Sequence, residues 1–298
     1  SSRRAACEVH RLSLIVCATL RSGMPDEVPG LVLSAKETLT AHGVLRAVVA
    51  EFFAMFLFVF VAVGTALRSG GDGMVIATGF GLTIFVLIHV FGHISGAHIN
   101  PAVTFALVLA RQVPPLRALA YIVAHVVGSI VASALLLPVL DSDALPGGYN
   151  TIPLSADGSK NVGAAFIVEI VGTMVLVFAV FATIDPNRRM DTDLGPLAIG
   201  GAVLVAHLVN VPVTGCGINP GRSIGPAIFG AQDVGREDLW CFIFAPLVGA
   251  GIVGLSYPWF FAEKPFPPGG LLGRYHVAGP VNDVTKTVQV QPAVEGAE

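Results

Sequence analysis

Charge is scarce in this chain. Of 298 residues only 17 are Lys or Arg and 20 are Asp or Glu, 12% in all, with a net charge of −3. So even a balance of so few charges excludes a nucleic-acid partner, which requires a dense cationic face. Cysteine is also rare: the four residues, Cys7, Cys17, Cys216 and Cys241, have no metal-ligand spacing and build no disulfide framework. No nucleophile paired with a base and no metal-binding cluster stands out, so the sequence points to no enzyme, no metal and no cofactor. What the chain has in excess is apolar surface, with 54% hydrophobic residues and a mean hydropathy of +0.76. That balance belongs to an integral membrane protein.

Apolar runs of about twenty residues, enough to cross roughly 30 Å of hydrocarbon, fall near 45–67, 74–93, 116–137, 162–183, 195–213 and 239–261. They are continuously apolar rather than alternating, which favours a helical bundle over a barrel. If six spans alternate, Lys36, Arg46, Arg111, Arg117, Arg188, Arg189, Lys264 and Arg274 share one side, and Arg68, Lys160 and Arg236 the other. The positive-inside rule then puts both termini in the cytoplasm and the loops 138–161 and 231–238 outside. The stretch LSLIVCATL at 12–20, after Arg3, Arg4 and Arg11, is too short to span; it reads as a targeting leader or as part of a cytoplasmic tail. The proline-rich segment 262–298 reads as a second cytoplasmic tail. These boundaries give a tail over 1–44, a membrane domain over 45–261 and a tail over 262–298.

The membrane domain contains itself twice. AEFFAMFLFVFVAVGTAL at 50–67 parallels VEIVGTMVLVFAVFATID at 168–185, pairing Glu51 with Glu169; SGAHINPAVT at 95–104 parallels TGCGINPGRS at 214–223, pairing Asn100-Pro101 with Asn219-Pro220. The period is close to 119 residues, with the copies at about 45–137 and 162–261. Three spans per copy is an odd number, so the second copy enters the membrane upside down. After each Asn-Pro the apolar stretch, FALVLA or IGPAIF, is half the length needed to cross. Asn is a favoured N-cap and Pro suits the first helical position, so each motif reads as the start of a half-helix. A single Asn-Pro could merely kink an ordinary helix. Two in inverted copies predict two half-helices meeting head to head at mid-membrane.

Two positive dipole ends at one point repel cations. Amide N–H groups of Asn100 and Asn219 can hold the oxygen of a passing water there, turning its hydrogens outward and breaking proton hopping along the file. Arg222 stands in the first turn of the second half-helix, where its repeat partner is Val103. A membrane-embedded Arg marks a functional cavity; carbonyls near Thr214, Gly215 and Cys216 are candidate partners, and a salt bridge to Glu51 or Glu169 is the structural alternative.

The segments SGAHINPAVTFALVLAR at 95–111 and TGCGINPGRSIGPAI at 214–228, with AEF at 50–52 and DPNRR at 185–189, resemble the aquaporins, the major intrinsic proteins. Among these they most resemble the plant plasma-membrane intrinsic proteins and the water-selective animal aquaporins. The resemblance covers about 45–261. It implies an all-α membrane fold of six transmembrane helices plus two re-entrant half-helices in an inverted repeat, one pore per protomer, a homotetramer in the lipid bilayer, and residence in the plasma membrane, with an internal membrane as the alternative. By position it also implies a selectivity filter of Phe80, His207, Cys216 and Arg222, and a loop-supporting role for Glu51 and Glu169. Ser223 after Arg222, where glycerol facilitators carry Asp, favours water as the permeant. His207 alone would read as a packed core histidine, and His98 as a loop residue making a structural hydrogen bond. Gly128, Gly249, Gly251 and Gly254 read as close-packing positions. Pro114 stands where plant relatives carry a phosphorylatable loop serine, so that gating element is not carried over. The first motif, Asn100-Pro101-Ala102, is standard; the second, Asn219-Pro220-Gly221, departs from it at Gly221.

These readings lead to a passive water-selective channel that excludes protons and ions. The alternatives are conduction of small neutral solutes such as hydrogen peroxide, glycerol or ammonia, and a closed junctional member. An ion-coupled transporter would also use inverted repeats with broken helices, but needs ion ligands that the Asn-Pro loops lack.

Overall fold

The computed structural model describes residues 41–140, 148–185, 194–230 and 234–262. The 12–20 apolar core, Cys7, Cys17, the DPNRR segment beyond Asp185 and the tail from 263 lie outside the described residues. Eight principal helices follow in order: α1 Ala41–Phe58, α2 Gly73–Ser95, α3 Pro101–Leu109, α4 Pro115–Val139, α5 Val162–Ile184, α6 Gly195–Thr214, α7 Pro220–Phe229 and α8 Leu239–Phe260. The chain leaves α1 through a π-helical turn, Val59–Val63, and resumes as α-helix over Gly64–Arg68. Among the described residues six helices are long and apolar enough to cross a membrane, including Gly43–Arg68, Gly73–Ser95 and Gly235–Phe260. Half-helices α3 and α7 make up the remainder.

Each boundary has a local cause. Asp72 caps α2 by accepting from the Met74 and Val75 N–H groups, and Asn161 caps α5 through the Ala164 N–H. Proline occupies the opening turn of α3, α4, α6 and α7, where its missing N–H costs nothing. Glycine ends α2 and α6 in the left-handed conformation, Gly96 at φ 96° and Gly215 at φ 74°, as a C-terminal stop requires.

The packing repeats itself. α1 lies on α2 and α4 as α5 lies on α6 and α8. Half-helix α7 packs on α4 of the first copy, and α3 packs on α8 of the second, so each copy holds the other's half-helix. The two copies meet most extensively where α2 crosses α6. There Gly81 and Gly200 face one another: a methyl on either would come within 2.8 Å and 2.6 Å of the other's carbonyl oxygen. Gly128 lies as close to the Phe52 carbonyl, and its counterpart Gly249 to the Ile170 carbonyl; Gly254 abuts the Ala106 carbonyl. Gly251 differs, since a methyl there would meet only side chains at ordinary distance; the expectation that it permits close approach is corrected on that ground. Outward faces such as Leu82, Val86 and Val90 of α2 remain exposed, forming an apolar stripe suited to lipid.

Candidate functional site

The loops before the half-helices, 96–99 and 215–218, neither coil nor pair with a strand. Their backbone is strained in matching places: Ala97, Ile99, Cys216 and Ile218 take φ of 45°, 51°, 57° and 45°. Left-handed non-glycine residues cost about 1–3 kcal/mol each and persist only where surroundings hold them. Two buried carboxylates do the holding. Glu51 Oε1 accepts from Ser95 Oγ at 2.5 Å and the His98 N–H at 2.9 Å, while Oε2 accepts from the Ile99 N–H at 2.9 Å and meets His125 Nε2 at 2.7 Å. Glu169 repeats the arrangement with Thr214 Oγ1 at 2.6 Å, the Gly217 N–H at 2.8 Å and the Ile218 N–H at 2.6 Å. Only Glu51 gains a ring nitrogen, because the position matching His125 in the second copy is Pro246.

At the junction the motifs bind each other. Asn100 Oδ1 accepts from the Ala102 N–H at 2.8 Å and Asn219 Oδ1 from the Arg222 N–H at 3.2 Å. Each amide nitrogen also reaches across the repeat: Asn100 Nδ2 donates to the Ile218 carbonyl at 2.9 Å, and Asn219 Nδ2 to the Ile99 carbonyl at 2.8 Å. The expectation from sequence, an amide N–H of each asparagine toward the lumen, did not include these bonds across the repeat. One N–H per amide locks the junction, leaving the second N–H outside that bond, since a primary amide has two. Both asparagines line a cavity shared with His207, His93 and Arg117 and with the apolar side chains of Ile88, Leu176, Val180 and Val203. His98 lines it too, while its Nδ1 is 3.0 Å from Thr104 Oγ1.

Beyond His207, three of the four sequence-proposed filter residues come together. Phe80 and His207 stack with centroids 4.3 Å apart, and Arg222 Cζ stands 5.1 Å from the Phe80 ring centre. Phe58, just before the π turn, packs edge-on against Phe80. His207 Nδ1 lies 2.8 Å from the Val203 carbonyl, which can only accept, so Nδ1 carries the proton and Nε2 of the singly protonated ring is an acceptor. That Nε2 and Arg222 Nε are both buried without a protein partner. An acceptor and a donor are therefore buried unpaired beside the Phe80 ring, and buried polar atoms of this kind are ordinarily satisfied by water. Cys216 is buried in the loop, its N–H bonded to Thr214 Oγ1 at 3.1 Å.

The partner of Arg222 is not the one expected from sequence. Nη1 donates to the Gly148 carbonyl at 2.9 Å, whereas the Thr214 carbonyl is bonded to the Thr151 N–H and, at 3.4 Å, to Asn150 Nδ2. Neither glutamate forms an ion pair with Arg222 among the described residues, because their oxygens are taken by the loops. The segment carrying Gly148 is itself anchored. Asn150 Oδ1 accepts from Ser223 Oγ at 2.8 Å; Asp238 accepts from the Ile152 N–H at 2.8 Å, from Thr151 Oγ1 at 3.0 Å and from Lys160 Nζ at 2.8 Å. The hydrogen bond to Asp238 holds the Lys160 ammonium above its usual pKa. Sequence reasoning missed Gly148, Asn150 and Asp238. Asp238→Ala is expected to orphan the buried Ile152 N–H, costing about 1–3 kcal/mol. A lowered melting temperature of the detergent-solubilised protein checks this, and an unchanged one would contradict the anchoring.

The family model described as major intrinsic protein matches residues 38–257. The chain is 42% identical over 234 residues to Aquaporin-1 of Sus scrofa, covering 74% of this chain and 83% of that protein. It is 40% identical over 247 residues to Aquaporin PIP2-4 of Zea mays, covering 76% and 85%. Among solved structures, the aquaglyceroporin from Plasmodium falciparum superposes with a TM-score of 0.61 at 22% identity, over 72% of this chain and 95% of that one. That last likeness concerns the fold.

Proposed function

The chain belongs to the major intrinsic protein family, and from that premise we propose how its residues carry the family's work. It is an integral membrane protein and a passive water channel, driven by osmotic gradients. The observation that carries the assignment of the filter is the pair of buried, protein-unpartnered atoms, His207 Nε2 and Arg222 Nε, beside the apolar face of Phe80. One acceptor and one donor suit a molecule that both donates and accepts, and the stacked rings leave the passage narrow. Phe80, His207, Arg222 and the Cys216 carbonyl constitute the filter in this reading. Glu51 and Glu169 keep the re-entrant loops in their strained form.

Past the filter, water meets the spare N–H groups of Asn100 and Asn219. Its oxygen is held there by two donors, and the N-termini of α3 and α7 disfavour positive charge. Hydrogen-bond direction reverses at that point, so water passes and protons do not. An ion-coupled transporter would need free carboxylates at this depth, and the two present are engaged by loop donors. The channel body spans 45–261, assembles as a homotetramer and lies in the plasma membrane with cytoplasmic termini.

Proteoliposomes carrying the protein should shrink faster than empty vesicles in an osmotic jump, and should exclude glycerol. Mercurials should block the flow in the native protein but not in Cys216→Ser. Equal shrinkage with and without protein would sink the reading; persistent block in the variant would move the reactive thiol to another cysteine.

A further inference from the structure

Gly221 has no explanation in the motif alone, but its surroundings supply one. A methyl built on Gly221 would stand 2.7 Å from Met55 Cε, 3.1 Å from Pro101 Cδ and 3.3 Å from Asn219 Oδ1. Met55 belongs to α1, is fully buried, and its terminal methyl already occupies the room an alanine at 221 would need. The inverted repeat contains its own control. Met55 aligns with Thr173 of α5, and Gly221 with Ala102 of α3. Each pairing crosses the copies: Thr173 of the second copy answers to Ala102 of the first, a short side chain with alanine, and Met55 of the first to Gly221 of the second, a long side chain with glycine. Thr173 and Ala102 are likewise fully buried, so both positions lie in packed interior, where a change of one methylene is felt.

We infer that Met55 is a positioning residue for the central junction, its methyl replacing the one missing from Gly221 and fixing the separation of the two half-helix starts. The atoms it neighbours there matter for conduction: Pro101 opens α3, and Asn219 Oδ1 caps α7 while Nδ2 of the same amide bonds Ile99. Displacing either tilts an asparagine whose second N–H faces the permeant. A thioether with three rotatable bonds holds this junction more softly than a fixed alanine methyl does.

The inference rests on the water-channel reading, so its experiment has two readouts. Gly221→Ala, Met55→Thr and the double variant are compared by thermal melting in detergent, which involves no conduction, and by water flux and proton leak in proteoliposomes. Gly221→Ala overpacks and Met55→Thr leaves a void. Each single variant is expected to melt lower and to lower the water-to-proton flux ratio about threefold, an effect of the size overpacking or cavities cause. The double variant, which copies the Thr173 and Ala102 pairing, is expected to recover both readouts to within about twofold of the native protein, as coupled neighbours do. A double variant no better than the worse single variant, in melting or, with melting restored, in flux ratio, overturns the inference. Rescue of melting in a protein that conducts no water would leave the packing pair intact and refute the channel reading instead.

Discussion

Glu51→Ala should lower the thermal stability of the detergent-solubilised protein more than Glu169→Ala, although the two carboxylates occupy equivalent places. Removing Glu169 orphans the N–H groups of Gly217 and Ile218; the Thr214 hydroxyl can turn to the Asn210 carbonyl 3.2 Å away. At about 1–3 kcal/mol for each buried unpaired donor, the loss is about 2–6 kcal/mol. Removing Glu51 orphans the His98 and Ile99 N–H groups in the same way and also strands His125. That ring is fully buried, its Nδ1 already has no protein partner, and Nε2 has Glu51 as its acceptor. The additional term is about 1–3 kcal/mol by the same reckoning. Each variant also releases the left-handed residues of its own loop, 97 and 99 for Glu51→Ala and 216 and 218 for Glu169→Ala, so water flux per folded protein should fall with stability. Melting curves of the two variants, measured side by side, decide the matter: equal losses, or a larger loss for Glu169→Ala, would mean that His125 finds another partner.

The same comparison shows what the sequence disclosed and what it withheld. Local chemistry repeated at a fixed spacing was legible: Asn-Pro at 100 and 219, glutamate at 51 and 169, and three apolar runs per copy are enough to place two half-helices head to head. The symmetric packing follows from it. Partners that act through the backbone were not legible, because a carbonyl carries no residue identity. Gly148 lies in a loop without periodicity, and nothing at that position announces the acceptor for Arg222. Asp238 resembles an ordinary acid at a span end until its two oxygens are seen to gather Ile152, Thr151 and Lys160. Met55 is hidden differently, as one apolar side chain in a chain that is 54% hydrophobic. Only the three-dimensional approach of its methyl to Gly221 separates it from its neighbours. The shared use of each asparagine amide was also beyond reach, since the reciprocal bonds join residues well over a hundred positions apart.

Arg222→Val should leave water flux within about twofold of native while removing most of the barrier to cations. Arg222 is 3% exposed, and its guanidinium donates to Gly148 and lies over Phe80, so its charge stands at the proposed filter rather than in bulk solvent. A cation brought to about 4 Å from it meets a repulsion of about 4 kcal/mol at an effective dielectric of about 20. At about 1.4 kcal/mol per tenfold change, losing that repulsion raises cation leak by up to about a thousandfold. A neutral water meets no such term. Valine also vacates the space of the guanidinium and frees the Gly148 carbonyl, so glycerol entry should rise at least about tenfold, a gain that needs only about 1.4 kcal/mol. Arg222→Lys separates the two causes: it retains the charge but has no planar fork to reach Gly148 while facing the lumen, so cation exclusion should survive as glycerol exclusion weakens. Stopped-flow light scattering for water and glycerol, with a potential-sensitive dye for cations, reads all three fluxes from one preparation. Cation leak in Arg222→Val no greater than in the native channel would transfer exclusion from this side chain to the paired half-helix N-termini at Asn100 and Asn219.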